Sequence, residues 1–168
     1  MVFKSSTRIF VLIIVLLLMA YSFIGYLGQN INSIYLDDFY VDSLNNVSYS
    51  SFNLKGNFFF ENPTGLMIPV RIIRFDVLLD GEVISSGFIS SFRLGAGQIS
   101  RVGFEQNIKH DLSSLNLSSV VKVEGVITLD FLFTPEYRIP FSDQKMLSQI
   151  VPSELLSTSE DGVLVIVS

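Results

Sequence analysis

Nineteen consecutive residues without a charged side chain, residues 9–27, constrain this chain more than any other feature of its sequence. A helix rises about 1.5 Å per residue, so the run is long enough to cross a bilayer core of roughly 30 Å. Lys4 and Arg8 precede the run, and no basic residue follows it until Lys55, whereas acidic residues follow it early. Positive charge is retained on the cytoplasmic side of a membrane. The run therefore predicts a single transmembrane helix, with residues 1–8 in the cytoplasm and the remainder of the chain outside it.

A cleaved secretory signal peptide is the alternative interpretation of the same run. Ala20-Tyr21-Ser22 has the small-x-small pattern of a cleavage site. The apolar residues continue past that point to Leu27, and the rings of Tyr21 and Tyr26 suit the membrane interface. An uncleaved anchor is therefore favoured, and both alternatives export the following domain.

The exported part of the chain is acidic and has no cysteine. Of 11 basic residues, Lys4 and Arg8 precede the apolar run, which leaves 9 against 16 acidic residues, a formal charge of −7. This charge repels nucleic acid and anionic lipid headgroups, so neither is expected as a partner. With no cysteine and one histidine, disulfides, thiolate sites and multi-histidine metal sites are excluded.

Beyond a linker at residues 28–33, apolar and polar residues alternate with a period of two, which is typical of half-buried strands. The alternation is clearest over three ranges, residues 51–60, 71–80 and 121–134. Weaker strands fit four further ranges, residues 34–44, 82–91, 98–108 and 135–142. Since no helix is long enough to connect parallel strands, the pattern predicts an all-β, seven-stranded antiparallel β-sandwich over residues 34–142.

The first strong strand illustrates how the faces are assigned. Its apolar residues share the face that is predicted to lie in the core: Phe52, Leu54, Phe58 and Phe60. Asn57 falls on the opposite, polar face, beside Phe59. Phe59 is therefore the one phenylalanine singled out as an exposed contact.

Turn residues separate the predicted strands. Asp80-Gly81 lies between two apolar runs and suits a type I′ hairpin turn, in which both central residues have positive φ. A second turn is predicted at Gly95-Ala96-Gly97.

A third turn is predicted at Asn62-Pro63-Thr64-Gly65. Pro63 removes a backbone donor, and Gly65 is free to take a left-handed conformation. A polar loop can bind a ligand, but the structural interpretation is stronger, because Asn62 can bond nearby backbone and Pro63 ends the strand.

The last part of the chain is more mixed. A short helix is predicted over residues 111–117. Residues 143–168 form a tail, with a helical turn around Met146, Leu147 and Ile150. Residues 157–161 resemble a linker, and residues 162–168 a terminal strand. Because that strand is apolar on both faces, we expect it to pair with an edge of the sandwich.

The order of these features is recognisable. An aromatic strand runs into Asn62-Pro63, and the Asp80-Gly81 hairpin, a Gly-rich step at residues 95–97 and Gly125 within a long strand follow. The pattern closes with Tyr137-Arg138-Ile139-Pro140-Phe141. This order resembles the late-embryogenesis-abundant type 2 group, also called the water-stress and hypersensitive-response (WHy) domain.

The resemblance implies a fibronectin-III- or immunoglobulin-like sandwich with one short helix. It also implies a role in desiccation, stress or defence responses, in a group of proteins that often carries an N-terminal anchor. The group has no agreed catalytic activity, so the resemblance supplies no active-site residues. The strand-like tail departs from the pattern.

Other candidate sites are few. Asn46-Val47-Ser48 and Asn116-Leu117-Ser118 match the N-glycosylation acceptor pattern, and Asn46 is expected in a loop. Asp37, Asp38 and Asp42, with Glu61, could offer oxygen ligands to calcium, but no dense calcium-loop motif is present, and a solvated acidic stretch is favoured.

His110 beside Asp111 could suggest an acid–base pair, but no serine nucleophile is marked by a strand–turn–helix elbow. The sequence therefore predicts no catalytic, cofactor-binding or metal-binding residues and no small-molecule substrate. It predicts a membrane-anchored, non-catalytic extracytoplasmic domain for stress protection or for binding a protein or envelope component. The alternative is a structural or accessory subunit of a cell-envelope complex.

Overall fold

The structure is a computed structural model that describes residues 5–48, 51–110, 118–130, 136–150, 156–158 and 164–166. The chain divides into two compact units, Met1–Ser33 and Ile34–Ser168. Each unit is described by itself below.

The first unit contains one long helix, α1, over Ser5–Ile31. Within it, Ile9–Tyr26 is an 18-residue stretch with a mean hydropathy of 2.6, and none of that stretch is buried. The predicted apolar helix is confirmed, but it continues through residues 28–31, so the linker predicted at residues 28–33 is wrong in that part. The length and composition of the helix suit a membrane span, as they would also suit a signal sequence.

The second unit is built from strands that form two antiparallel sheets. In the described part of the chain the seven main strands are β1 (Tyr35–Ser48), β2 (Ser51–Asn62), β3 (Ile68–Leu79), β4 (Glu82–Leu94), β5 (Gln98–Ile108), β6 (Val120–Leu129) and β7 (Tyr137–Met146). One sheet has the order β1-β2-β5, and the other has the order β4-β3-β6-β7. The predicted seven-stranded antiparallel β-sandwich is confirmed.

The strands lie where the alternation predicted them, but three of them end four or five residues from the predicted ends. β1 and β7 extend beyond the predicted residues 44 and 142 to Ser48 and Met146, and β6 ends at Leu129, before the predicted residue 134. Asp130 lies outside the strand, and its N–H donates to the carbonyl of Pro69 at 3.2 Å. Residues 131–134, the remainder of that range, lie outside the described residues, as does the helix predicted at residues 111–117.

A cluster of phenylalanines joins the inner faces of the two sheets. Phe58 is fully buried and stacks on Phe104, with ring centroids 4.3 Å apart, within the three-stranded sheet. The Phe58 ring also forms a T-shaped pair with the ring of Phe75 in the four-stranded sheet, with centroids 4.9 Å apart. The centroid of the Phe141 ring, in the same sheet, lies 6.3 Å from that of Phe58. Such ring pairs contribute about 0.5–1.5 kcal/mol each beyond the burial of their area. The core is therefore centred on β2, in the middle of the smaller sheet.

Glycines make room for these rings. A Cβ on Gly125 would lie 2.6 Å from the ring of Phe141 and 2.3 Å from the carbonyl oxygen of Arg74. A Cβ on Gly56 would likewise lie 2.6 Å from the ring of Phe104. Since real Cβ atoms do not approach this closely, a larger residue at either glycine would displace an aromatic ring or the backbone.

Both turns predicted around β4 are confirmed, although the second one connects strands of different sheets and is not a hairpin. Asp80 has φ 49° and Gly81 has φ 90°, as a type I′ turn requires. Gly97, in the turn between β4 and β5, has φ 59°.

The tail differs from its prediction. A helical turn, α2, spans Leu147–Ile150 as expected, but Met146, which was predicted to belong to it, is the last residue of β7. β8 (Leu156–Thr158) and β9 (Leu164–Ile166) then pair with each other in a two-stranded antiparallel sheet. The expectation that the terminal strand pairs with an edge of the sandwich is wrong for the described residues. The predicted linker is wrong in part, because its first two residues belong to β8.

Candidate functional site

The Asn62-Pro63 turn is held by the side chain of Asn62, which is fully buried. Its amide nitrogen donates to the carbonyl oxygens of Leu66 and Gly95, both at 2.8 Å, and to that of Leu94 at 3.3 Å. Its amide oxygen accepts hydrogen bonds from the N–H of Thr64 at 3.2 Å and from the Thr64 hydroxyl at 2.6 Å. The Asn62 side chain thus joins the turn that follows β2 to the end of β4.

This geometry supports the structural interpretation of the motif. A buried amide whose donors and acceptor are all satisfied rigidifies its surroundings and is not available to a ligand. Gly65 has no positive φ, so the predicted left-handed conformation is wrong. The Asn62 and Thr64 side chains make the turn in its place, and Pro63 lies exposed at its tip.

The outer face of the β1-β2-β5 sheet carries a polar network that sequence reasoning missed. Asn57 lies on this face, as predicted, yet it is only 4% exposed. Its amide nitrogen donates to the Asp42 carboxylate, and its amide oxygen accepts from Nε of Arg101 at 2.7 Å. Arg101 and Asp42 close the triangle at 3.3 Å. One residue from each strand of the sheet is therefore tied into a single group.

An aromatic pair lies next to this network. Phe59 is half-buried and stacks on Tyr40 of β1, with ring centroids 5.2 Å apart. Arg101 is the cross-strand partner of Phe59 in β5. The Phe59 ring therefore packs against Tyr40 of its own sheet, whereas the sequence predicted that it would be exposed and available to contact a partner.

Further along the same face, polar side chains pair across the strands. Lys55 and Glu105 form an ion pair at 3.3 Å, and Asn107 donates to Asn53 at 2.6 Å. Pairs of this kind on exposed strand faces contribute about 0.2–1 kcal/mol each. The polar face is therefore largely satisfied by its own residues.

The acidic side chains considered as calcium ligands point to different partners. Asp38 forms an ion pair with Lys145 of β7, whereas Asp42 belongs to the Asn57 network. Glu61 accepts a hydrogen bond from the Tyr35 hydroxyl, and this bond raises the pKa of Tyr35. Among the described residues, no group of three or more His, Asp or Glu side chains is placed to hold a metal ion.

The remaining predicted sites add little chemistry. His110 is half-buried, two residues after the end of β5, and Asp111 lies outside the described residues. Asn46 lies within β1, where the register shifts between Asn45 and Ser48, so the expectation that it lies in a loop is wrong. Asn116 lies outside the described residues.

The outer face of the β4-β3-β6-β7 sheet carries two open grooves, of about 540 and 440 Å³. Both are lined by Asp76, Gly125 and Val126. The carboxylate of Asp76 already accepts a hydrogen bond from the Ser86 hydroxyl at 2.5 Å. The grooves are open depressions in the sheet surface at Gly125, where the lack of a side chain leaves the backbone uncovered.

Comparison with protein-family models finds no match, and comparison with curated proteins finds none either. Solved structures do match. Protein AT1g01470 from Arabidopsis thaliana is 19% identical, over 67% of this chain and 78% of that chain, with a TM-score of 0.50. The likeness shows the fold.

Two further solved structures are similar at lower TM-scores. One is At2g46140.1, given as a candidate late embryogenesis abundant (LEA) protein, with 15% identity over 76% of this chain and 82% of that chain, at a TM-score of 0.45. The other is a protein from Archaeoglobus fulgidus, with 9% identity over 66% of this chain and 96% of that chain, at a TM-score of 0.41.

Proposed function

We propose that the chain is a single-pass membrane protein that displays a non-catalytic β-sandwich outside the cytoplasm. There it would protect other molecules under desiccation or a related stress, or bind an envelope component. The observation that carries the proposal is an apolar 18-residue helix segment, unburied along its whole length, in a chain that continues as a complete sandwich. Such a helix would serve as a tether, which raises the local concentration of the domain at the membrane.

The direction of insertion is supported by the charges on the two sides of the helix. Lys4 and Arg8 precede it, and Asp37 is the first charged residue after it. Because the chain has no cysteine, single-cysteine variants can test the orientation. We expect a membrane-impermeant maleimide to label Ser148→Cys, an exposed position in the helical turn Leu147–Ile150, but not Ser5→Cys in intact cells, and the opposite pattern would overturn the proposed topology.

The stress role is supported by the sequence resemblance, from Asn62-Pro63 to Tyr137-Arg138-Ile139-Pro140-Phe141, together with the fold. A rigid, acidic sandwich that satisfies its own polar face would keep its structure as water is withdrawn. The full chain in liposomes should preserve the activity of an added, drying-sensitive enzyme better than liposomes carrying an unrelated single-span protein. Equal loss of activity in both preparations would count against stress protection.

A second candidate function is an accessory subunit of an envelope complex. It is favoured by the long exposed edge strand β4, where Phe88 is 68% exposed. In that case the full chain, solubilised in detergent, should copurify with a stoichiometric partner. Protection of the enzyme by the purified chain alone would instead favour the stress role.

A further inference from the structure

Strand β4 differs from the other edge strands in its chemistry. In the described part of the chain it pairs with β3 alone. It is 13 residues long, and residues 83–92, between Glu82 and Arg93, include neither a charge nor a proline. Its pairing with β3 is regular over residues 85–94. An edge of this kind offers a row of unpaired N–H and C=O groups to another strand.

The three other edges carry features that oppose such pairing. β1 is interrupted by three register shifts in its ladder with β2. β7 contains Pro140 and the charged residues Arg138 and Lys145, and β5 displays Arg101 and Glu105. Bulges, prolines and edge charges are the means by which natural sheets avoid edge-to-edge pairing. β4 lacks prolines and charges along the ten residues between its terminal charges, and its one register shift lies near its start, between Val83 and Ser85.

β4 also exposes large apolar side chains. Phe88 is 68% exposed and Val83 is 54% exposed. Phe88 lies at the middle of the strand, on the outer face, where it pairs across the sheet with Arg74. Because removing a phenylalanine ring from water is favourable, this exposure leaves a stabilising contact unmade.

We propose that β4 pairs antiparallel with β4 of a second copy of this chain, with Phe88 opposite Phe88 at a two-fold axis. Charge is the first argument for a second copy as the occupant. Glu82 and Arg93 lie at opposite ends of the strand, so antiparallel pairing brings the acidic end of each copy to the basic end of the other. The strand is therefore complementary to itself, as an isologous two-fold interface requires.

The register follows from which residues share a face. A two-fold axis perpendicular to the sheet pairs residues on the same face, so it must pass through one residue position. At Phe88 it places the two exposed rings side by side and Ser86 opposite Ser90. On the inner face it places Gly87 opposite Ile89. A two-fold axis at Gly87 would instead set glycine against glycine and leave each Phe88 opposite Ser86, which buries less apolar surface.

The Phe88 register also extends a pattern already present in the sheet. One cross-strand row reads Gly87, Phe75, Gly125, Phe141, in which small and large residues alternate. Ile89 of the second copy would be the next large residue in that row. The combined ladder would form one continuous eight-stranded sheet across the two copies.

The test uses the absence of cysteine from the natural chain. In full-length protein in liposomes, Phe88→Cys should form a disulfide-linked dimer under mild oxidation, because directly opposite Cβ atoms lie about 4.5–5.5 Å apart. Ser90→Cys should stay at background, since its counterpart lies four residues, about 13 Å, along the strand. A mixture of Ser86→Cys and Ser90→Cys chains should form the heterodimer. Equal crosslinking of Phe88→Cys and Ser90→Cys would overturn the register.

A charge at the axis tests the association itself. Phe88→Lys should abolish energy transfer between donor- and acceptor-labelled chains in liposomes, because two like charges would face each other. Ile99→Lys, at an apolar site that is 53% exposed on the other sheet, should leave the transfer unchanged. Energy transfer that survives Phe88→Lys would overturn the proposal. A crosslink from β4 to β9, of the same or another chain, in place of a crosslink from β4 to β4 would also overturn it.

Discussion

Strands β4 and β7 form the two edges of the same sheet and manage those edges in opposite ways. β7 carries Pro140 at its middle, and its Lys145 reaches across to Asp38 in the other sheet and lies 5.3 Å over the ring of Phe39. β4 has neither a proline nor a charge between Glu82 and Arg93. The β7 edge therefore carries features that oppose strand addition. β4 makes a hydrogen bond from Ser85 to Gln106 of β5 at 3.2 Å, but its outer backbone edge pairs with no other described strand.

The two edges are also anchored differently. β7 is joined to the other sheet through a partly exposed ion pair, which is worth about 0–1 kcal/mol. β4 is fixed at its two ends by side chains that belong to other elements. Asn62 holds the carbonyls of Leu94 and Gly95 at one end, and Asp80 makes the turn at the other. The open strand is thus held in place by buried or turn-forming polar groups at its ends.

The largest effect is expected from breaking the Asn62 anchor with Asn62→Asp. A carboxylate at this fully buried position would face three carbonyl oxygens without a donor to offer them. Leaving a buried charge uncompensated costs about 3–5 kcal/mol. Chemical denaturation of the full chain should therefore show a large loss of unfolding free energy.

Asn53→Asp is the matched control for this change. Asn53 is half-buried and its Oδ1 accepts a hydrogen bond from Asn107, an arrangement that a carboxylate can keep. Its unfolding free energy should change by less than about 0.5 kcal/mol, as for most surface substitutions. Equal losses in the two variants would show that the Asn62 side chain does not anchor β4.

A second substitution tests the packing that supports the β7 side. Gly125→Ala would place a Cβ 2.3 Å from the Arg74 carbonyl oxygen and 2.6 Å from the Phe141 ring. Overpacking of this kind costs about 1–3 kcal/mol. Gly103→Ala is the control, because its Cβ would meet nothing closer than Asn57 Oδ1 at 3.7 Å. If the two variants unfold at the same denaturant concentration, Phe141 does not depend on the glycine beside it.

The fold could be predicted from the sequence because its main signals are local. Alternation over residues 51–60 and 71–80 and the Asp80-Gly81 turn depend on neighbouring residues, and the structure confirms them. The apolar helix α1 is equally local. The sandwich followed from these elements by general rules of strand connection.

The polar sites could not be predicted because they depend on pairing between distant strands. Asn57 is 15 residues from Asp42 and 44 residues from Arg101 in the sequence. Only the strand order β1-β2-β5 brings the three residues together. The bonds from Asn62 to Leu94 and Gly95 span 32 and 33 residues. Neither arrangement leaves a signal in the local alternation of the sequence.

The smallest effect is expected at the start of β4, where Asp80 links the type I′ turn to β6. The N–H of Val120 donates to the Asp80 carboxylate at 2.8 Å. This bond is the main reason why the pKa of Asp80 lies below its ordinary value of about 3.9, and a hydrogen bond from the Ser119 side chain makes a smaller contribution in the same direction. A carboxylate whose pKa is lower in the folded state contributes stability above its unfolded pKa, and that contribution is lost as the pH falls through the folded pKa.

Asp80→Asn removes the titration while keeping a residue that accepts the left-handed turn. The difference in unfolding free energy between the natural chain and Asp80→Asn should be constant from pH 5 to 7. It should then shift in favour of Asp80→Asn as the pH falls below about 4. Ser119→Ala is the control, and it should retain part of the pH dependence, because the larger contribution, from the Val120 N–H, remains. A difference independent of pH down to about 2 would show that the carboxylate does not hold this end of β4 through its charge.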